Sequence, residues 1–153
     1  MVTIVSGSRH ITDYAIVEAA IRASGFTISK VIEGGQRTYN KQRQPVGGVD
    51  YLAFLWAFRN RVPCLRVNAK WQSHGPAAGP IRNREMAALA QQLIAIPDSD
   101  SRGTIDMIDV ARQAGLSIYV HYDPDLFPEG PTGCLDDGDE LSRAIRQLQG
   151  LDK

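Results

Sequence analysis

The chain has 153 residues, with 17 Lys plus Arg against 17 Asp plus Glu and so no formal net charge; one domain over 1–153, with a core of its own, fits that length. A neutral chain has no global field to recruit nucleic acid or a membrane surface, so any anion site must be local. Two cysteines exclude a disulfide framework, no apolar run approaches the ~18 residues of a membrane span, and the opening VTIVSG lacks the basic segment and apolar core of a signal peptide, so a cytoplasmic protein is expected.

Val2–Gly7 is a β-branched run ending in glycine, the pattern of a short strand. Thr12 or Asp13 is placed to cap the helix DYAIVEAAIRAS, which Gly25 stops. FTISKVIE reads as the next strand, ahead of Gly34-Gly35. A polar insert follows over 36–46, carrying Arg37, Tyr39, Lys41 and Arg43; a lid gripping extra phosphates and a solvated loop both fit it. GGVDYLAFLWAFRNR is a helix with eight consecutive apolar residues, Tyr51 to Phe58. A helix apolar all round is buried on more than one side, so a homodimer or higher oligomer is expected, with Phe54, Trp56 or Phe58 in the interface. PCLRVNA is a strand with Cys64 in the core, and a helix runs from about Pro80 to Gln92. LIAIP, GTIDMIDVARQAG and LSIYVHY continue as strand, helix and strand, closing a core over 2–122. Residues 123–153 read as a Pro-, Gly- and Asp-rich loop, holding Cys134 as a free thiol, and a last amphipathic helix.

Strands separated by single helices imply βαβ units, and hence an α/β, Rossmann-like, doubly wound and mainly parallel sheet of about five strands flanked by helices. Right-handed crossovers collect the strand C-termini on one edge, where ligands bind at the switch in strand order. Gly7, Ser8 and Arg9 follow the first strand, Gly34 and Gly35 the second, Lys70 and Trp71 the third. After the fourth, DSDSRGT opens a helix at Gly103-Thr104. Glycine there allows close backbone approach, and N–H groups at helix starts form anion-binding nests. In GPAAGPIRNREM, Arg82 and Arg84 fall in what reads as the first turn of a helix. Cations there oppose the macrodipole by ~0.3–1 kcal/mol each, which a bound anion offsets. Arg82 then adds a guanidinium fork and Asn83 an amide; pairing with Glu85 is the purely structural alternative.

SGSRHITD, EGG, GGVDYLAFLWA, AKWQSHGPAAGPIRNREM and LIAIPDSDSRGTIDMIDVARQAG, in that order from about Val2 to Val120, resemble the YspA-like branch of the SLOG superfamily. These are Rossmann-type domains related to the LOG phosphoribohydrolases and to the DprA fold. The resemblance implies binding of a nucleotide or nucleotide-derived ligand, with Gly103-Thr104 cradling a phosphate and with Asp50 and Gly79, from the matching blocks, in the site. Two departures stand out. The insert separates Gly-Gly from Gly-Val-Asp, elements that usually run together. The LOG motif Pro-Gly-Gly-x-Gly-Thr-x-x-Glu has Asp98 and Ser99 after its proline here and Met107 at the glutamate. Asp106 is one position away, about 100° around a helix, and is expected to point elsewhere. Arg82 matches the arginine of the LOG Arg-Lys element.

The expected function is therefore a module that senses or sequesters an ADP-ribose-like or cyclic nucleotide derivative. The alternative is a LOG-like phosphoribohydrolase in which Asp98 or Asp106 replaces the missing glutamate; no catalytic residue is assigned. Asp98 is also a candidate for a ribose hydroxyl or Mg²⁺, and Trp71 or Tyr39 for stacking a purine. A single-stranded DNA binder needs a basic groove with stacking aromatics, and only the insert is basic, so nucleic acid is not an expected partner. His10, His74 and His121 lack zinc-ligand spacing, and neither a P-loop nor Gly-x-Ser-x-Gly is present; no metal site and no required cofactor are expected.

Overall fold

The computed structural model describes residues 1–98 and 101–123; the expected loop, Cys134 and C-terminal helix lie outside them. Strand β1 (Val2–Gly7) leads into helix α1 (Tyr14–Ser24). Asp13 caps that helix by accepting the Ala15 N–H at 2.9 Å, and Gly25 ends it in the left-handed region at φ 67°. Strand β2 (Lys30–Glu33) follows, then a short antiparallel hairpin, β3 (Thr38–Tyr39) and β4 (Pro45–Gly47), and helix α2 (Val49–Arg59). Strand β5 (Cys64–Arg66), a single helical turn α3 (Trp71–His74), a 3₁₀ turn at Gly75–Ala77 and helix α4 (Ala78–Leu89) come next. Strand β6 (Gln92–Ile96), helix α5 (Arg102–Gln113) and strand β7 (Ser117–Val120) complete the described chain.

The main sheet has five strands in the order β5-β2-β1-β6-β7, all parallel. Ile4 pairs with Ile32 and Leu93, and Val5 with Ile94, so hydrophobic residues line up across the central strands. The two-residue period of a strand then sorts them by face. Ile4, Ile32, Leu93 and Ala95 meet Met86 of α4 and Ile105, Met107 and Ile108 of α5. Val5, Val31, Ile94 and Ile96 meet Val17 and Ile21 of α1 and Leu52 and Ala53 of α2. Burial on both faces is why these strands read as near-continuous apolar runs.

Two details differ from the sequence reading. Helix α4 begins at Ala78, just ahead of the expected Pro80, and ends at Leu89, with Gln92 opening β6. Proline is tolerated in a first turn because its missing N–H has no intrahelical partner there. Arg82 and Arg84 consequently lie beyond the first turn, where the macrodipole penalty has largely faded. The insert folds as the β3–β4 hairpin. The Asn40 side chain accepts the Gln42 and Gln44 N–H groups, Arg43 takes φ 61° at its tip, and the Thr38 hydroxyl donates to the Arg9 carbonyl.

The apolar run of α2 is absorbed mainly inside the chain. Leu52, Ala53 and Ala57 are buried, while Arg37 lies over the rings of Tyr51 and Phe54 at 5.5 and 5.9 Å. Phe58, at 74% exposure, is the member of Phe54, Trp56 and Phe58 that stands in solvent.

Candidate functional site

The connections leaving β1 and β6 run to opposite faces of the sheet, and a cleft of about 410 Å³ opens at the C-terminal ends of these strands. Its first wall is the end of β1. A Cβ on Gly7 would lie 2.3 Å from the Ile96 carbonyl oxygen and 2.7 Å from Val49 Cγ2, so only glycine fits. The Ser8 N–H donates to the Ile96 carbonyl at 3.0 Å and the Ser8 carbonyl accepts the Val49 N–H at 3.0 Å, tying β1 to β6 and α2. Gly7, Ser8 and Arg9 all line the cleft.

The second wall is the start of α5. Ser101 occupies its N-cap position without a side-chain capping bond, because its hydroxyl donates to Asp98 Oδ1 at 2.7 Å and accepts the Asp98 N–H at 2.8 Å. The Ser8 hydroxyl donates to the other Asp98 oxygen. Asp98 thus sits beneath the wall, joining the β1 and β6 loops, rather than on it. Gly103 leaves open space in front of the helix start. Thr104 lines the cleft, is 4% exposed, and its hydroxyl makes no hydrogen bond among the described residues.

A hydrogen-bond chain forms the floor. Arg82 Nη1 donates to the Gly34 carbonyl at 2.6 Å and Nε to Asn83 Oδ1 at 3.1 Å. Asn83 Nδ2 donates to Asp106 Oδ2 at 2.8 Å and to the Gly103 carbonyl at 3.3 Å. The arginine therefore braces the β2 loop against α4 and α5 as well as lining the cleft, a role different from the fork at its own helix start that the sequence suggested. A Cβ on Gly34 would meet Arg82 Nη1 at 2.6 Å, which explains the glycine.

Behind this floor lies a buried charge cluster. Glu33 is wholly buried; its carboxylate takes both terminal nitrogens of Arg37 at 2.9 Å, Arg66 Nε at 3.0 Å and the Gly35 N–H at 2.8 Å. Arg37 is therefore committed inward, which removes the main cation of the insert from any phosphate-gripping role. Asp50, in the first turn of α2, accepts the Gln36 N–H at 3.0 Å and lines the cleft. Burial, and next the charge of Glu33, push its carboxyl up to about 6, against the pull of Gln36, Arg82 and Arg37.

Of the residues singled out from sequence, Gly35, Lys70 and Asp98 are not on the cleft wall. Gly35 packs on Asn68, where a Cβ would lie 2.0 Å from Oδ1, and Lys70 is an exposed residue ahead of α3. Tyr39, 58% exposed in the hairpin, is also off the wall. Trp71 lines the mouth at 52% exposure, 3.4 Å from the Cβ position of Gly79. One expectation is corrected: Asp106 lines the cleft, while Met107 is buried in the core. The 100° step carries Met107, not Asp106, away from the ligand side. Sequence reading missed Gln36, Arg102 and Ser101 on the wall. Arg102 carried a legible signal, since it immediately precedes the Gly-Thr helix start; Gln36 and Ser101 reach the wall only through tertiary packing. Among the described residues no cluster of ligating side chains fit for a metal ion occurs, and no helix is long and apolar enough to cross a membrane.

A parallel five-stranded sheet with helices on both faces and a cleft at the switch point defines an α/β protein of Rossmann-like fold. The chain is similar in fold to DNA processing protein A (DprA) from Streptococcus pneumoniae, with a TM-score of 0.59 and 18% identity over 98% of this chain and 56% of that one. The likeness is one of fold, and this chain spans about half the length of that protein. No protein-family model matches the sequence, and no curated protein matches it.

Proposed function

We propose that the chain is a SLOG-type module of the YspA-like branch that binds a nucleotide or nucleotide-derived ligand, holding a phosphate at the start of α5. The observation that carries this reading is Thr104. Its side chain lines the cleft and its hydroxyl has no protein hydrogen-bond partner among the described residues, so its donor and acceptor capacity opens on the cleft, beside helix N–H groups that the N-cap leaves without a side-chain bond. Ser8 and Arg9 line the same cleft, and Arg9 and Arg102 bring positive charge to it. The aromatic face of Trp71 at the mouth suits a base. As a binding module the domain needs no cofactor, and its partner is a small molecule.

Calorimetric titration with nucleoside mono- and diphosphates, cyclic nucleotides and ADP-ribose tests this directly. Binding by at least one of them, weakened in Thr104→Val and Arg82→Ala, is expected. No heat with any of them, together with no nucleotide in the mass spectrum of small molecules released on denaturation, defeats the reading.

A second reading, hydrolysis of a nucleoside monophosphate to free base and ribose 5-phosphate, gains support from Asp106 on the cleft wall. Chromatography after incubation with AMP decides it: free adenine that Asp106→Asn abolishes supports hydrolysis, and its absence from the wild-type reaction rejects it. The DNA processing for which the structural neighbour is named finds less support in this chain. The net charge is zero, and Arg37 of the basic insert is bound to Glu33.

A further inference from the structure

We infer that Asp50 reads the sugar of the bound nucleotide, accepting a hydrogen bond from a ribose hydroxyl and so selecting ribonucleotides over deoxyribonucleotides. The inference rests on the nucleotide reading of the cleft. In a sheet of this strand order, the usual contact to a ribose hydroxyl comes from an acid at the end of the second strand. Glu33 stands at that place, yet it is wholly buried, and Arg37, Arg66 and the Gly35 N–H engage both its oxygens. It has no face left for a ligand.

Asp50 is the carboxylate that reaches the cleft from the same side. Its Oδ2 lies 3.0 Å from the Cβ position of Gly34, at the very end of β2. That oxygen accepts one bond, from the Gln36 N–H, and Oδ1 has no hydrogen-bond partner among the described residues. A carboxylate has about four acceptor sites, so a hydroxyl donor in the cleft meets unused capacity. Asp106 is the other carboxylate on the wall, but it lies two residues from Thr104 in α5, at the end assigned to phosphate, where its charge opposes the ligand's. Phosphate at α5 and sugar at Asp50 give the two ligand groups separate partners in the cleft. Glu33, fixed by two arginines, acts behind Asp50 as structure rather than as a contact.

The test is calorimetry at pH 7.5 on the full chain. The ligands are AMP and GMP and their 2′-deoxy and 3′-deoxy counterparts; the proteins are wild type, Asp50→Ala and the isosteric Asp50→Asn. For wild type, at least one deoxy analogue should bind about tenfold or more weakly than its ribonucleotide, the scale of one lost hydrogen bond to a charged group. In Asp50→Ala the difference should shrink to below about threefold, a change that a purely structural role would not produce because both ligands would weaken together. Deoxy analogues within threefold of the ribonucleotide on wild type overturn the inference while leaving the nucleotide reading intact, and the wild-type comparison does not depend on either variant folding. A ratio that survives in Asp50→Ala overturns it as well; the amide of Asp50→Asn still hydrogen-bonds a hydroxyl, so that variant should keep part of the ratio. Absence of any binding to wild type defeats the nucleotide reading itself, and this inference with it.

Discussion

The two sides of the cleft use polar residues in opposite ways. On the β2 side, Glu33 and Arg37 pair while buried, the half-exposed Arg66 joins them from the surface, and Arg82 bonds the Gly34 carbonyl. On the α5 side, the helix start has no side-chain cap and Thr104 has no partner among the described residues. The first side is rich in charge yet largely closed on itself; the second holds fewer formal charges yet keeps its donors available. Charge density therefore does not mark where hydrogen-bonding capacity stays open at this edge of the sheet, because charges that pair with each other use that capacity up.

The largest effect is expected from Glu33→Ala. It leaves the buried side chain of Arg37 without its carboxylate, and the expected loss of stability is about 3–5 kcal/mol, read from urea midpoints. A loss below about 1 kcal/mol would show the cluster to be dispensable.

Next in size is the pH dependence from Asp50. Its carboxyl titrates at about 6 in the fold against an ordinary 3.8, so the folded chain holds that proton more tightly than the unfolded one. The resulting stabilisation is fully present below about pH 4 and is lost as pH rises through about 6, a change on the order of 2–3 kcal/mol. Urea midpoints at pH 4 and pH 7 should fall for wild type by that margin more than for Asp50→Asn, which cannot ionise. Parallel behaviour of the two proteins would remove the cause from Asp50.

On the α5 side the expected effect falls on binding. Thr104→Val should keep stability within about 1 kcal/mol, since no internal hydrogen bond is lost, and weaken phosphate-bearing ligands about tenfold. A drop in stability with unchanged affinity would reverse the contrast between the two sides. The smallest effect is expected at Phe58, 74% exposed on α2. Phe58→Ser should change stability by less than about 0.5 kcal/mol. We propose that copies of the chain associate through this face, so light scattering should give a multiple of the 16.8 kDa chain mass for wild type and a lower mass for the variant.

Much of the architecture was legible locally. The β-branched runs ending in glycine, the Asp13 cap and the Gly25 stop are decided by neighbours along the chain, and the structure has all of them. The start of α4 was not legible, because Trp71–Ala77 forms two short turns whose continuation into a helix depends on packing against α5 and the sheet. The insert was also ambiguous. Nothing in its composition separates a phosphate grip from a loop, and the place of Arg37 turned on Glu33, four residues before it, being buried at the end of β2.

The amino-acid sequence alone determined the alternation of strand and helix, the parallel sheet that follows from it, and the segments that meet at its C-terminal edge. These depend on hydrophobic period, turn chemistry and the handedness of crossovers, all of which act over short stretches. Tertiary structure alone decided which polar side chains at that edge pair with each other and which face the cleft. Glu33 and Asp98 turned inward, and Asp50, Asp106 and Thr104 reached the wall. Partners such as Ser8 and Asp98, or Glu33 and Arg66, are 90 and 33 residues apart, and a contact across such a distance is set by packing rather than by local pattern.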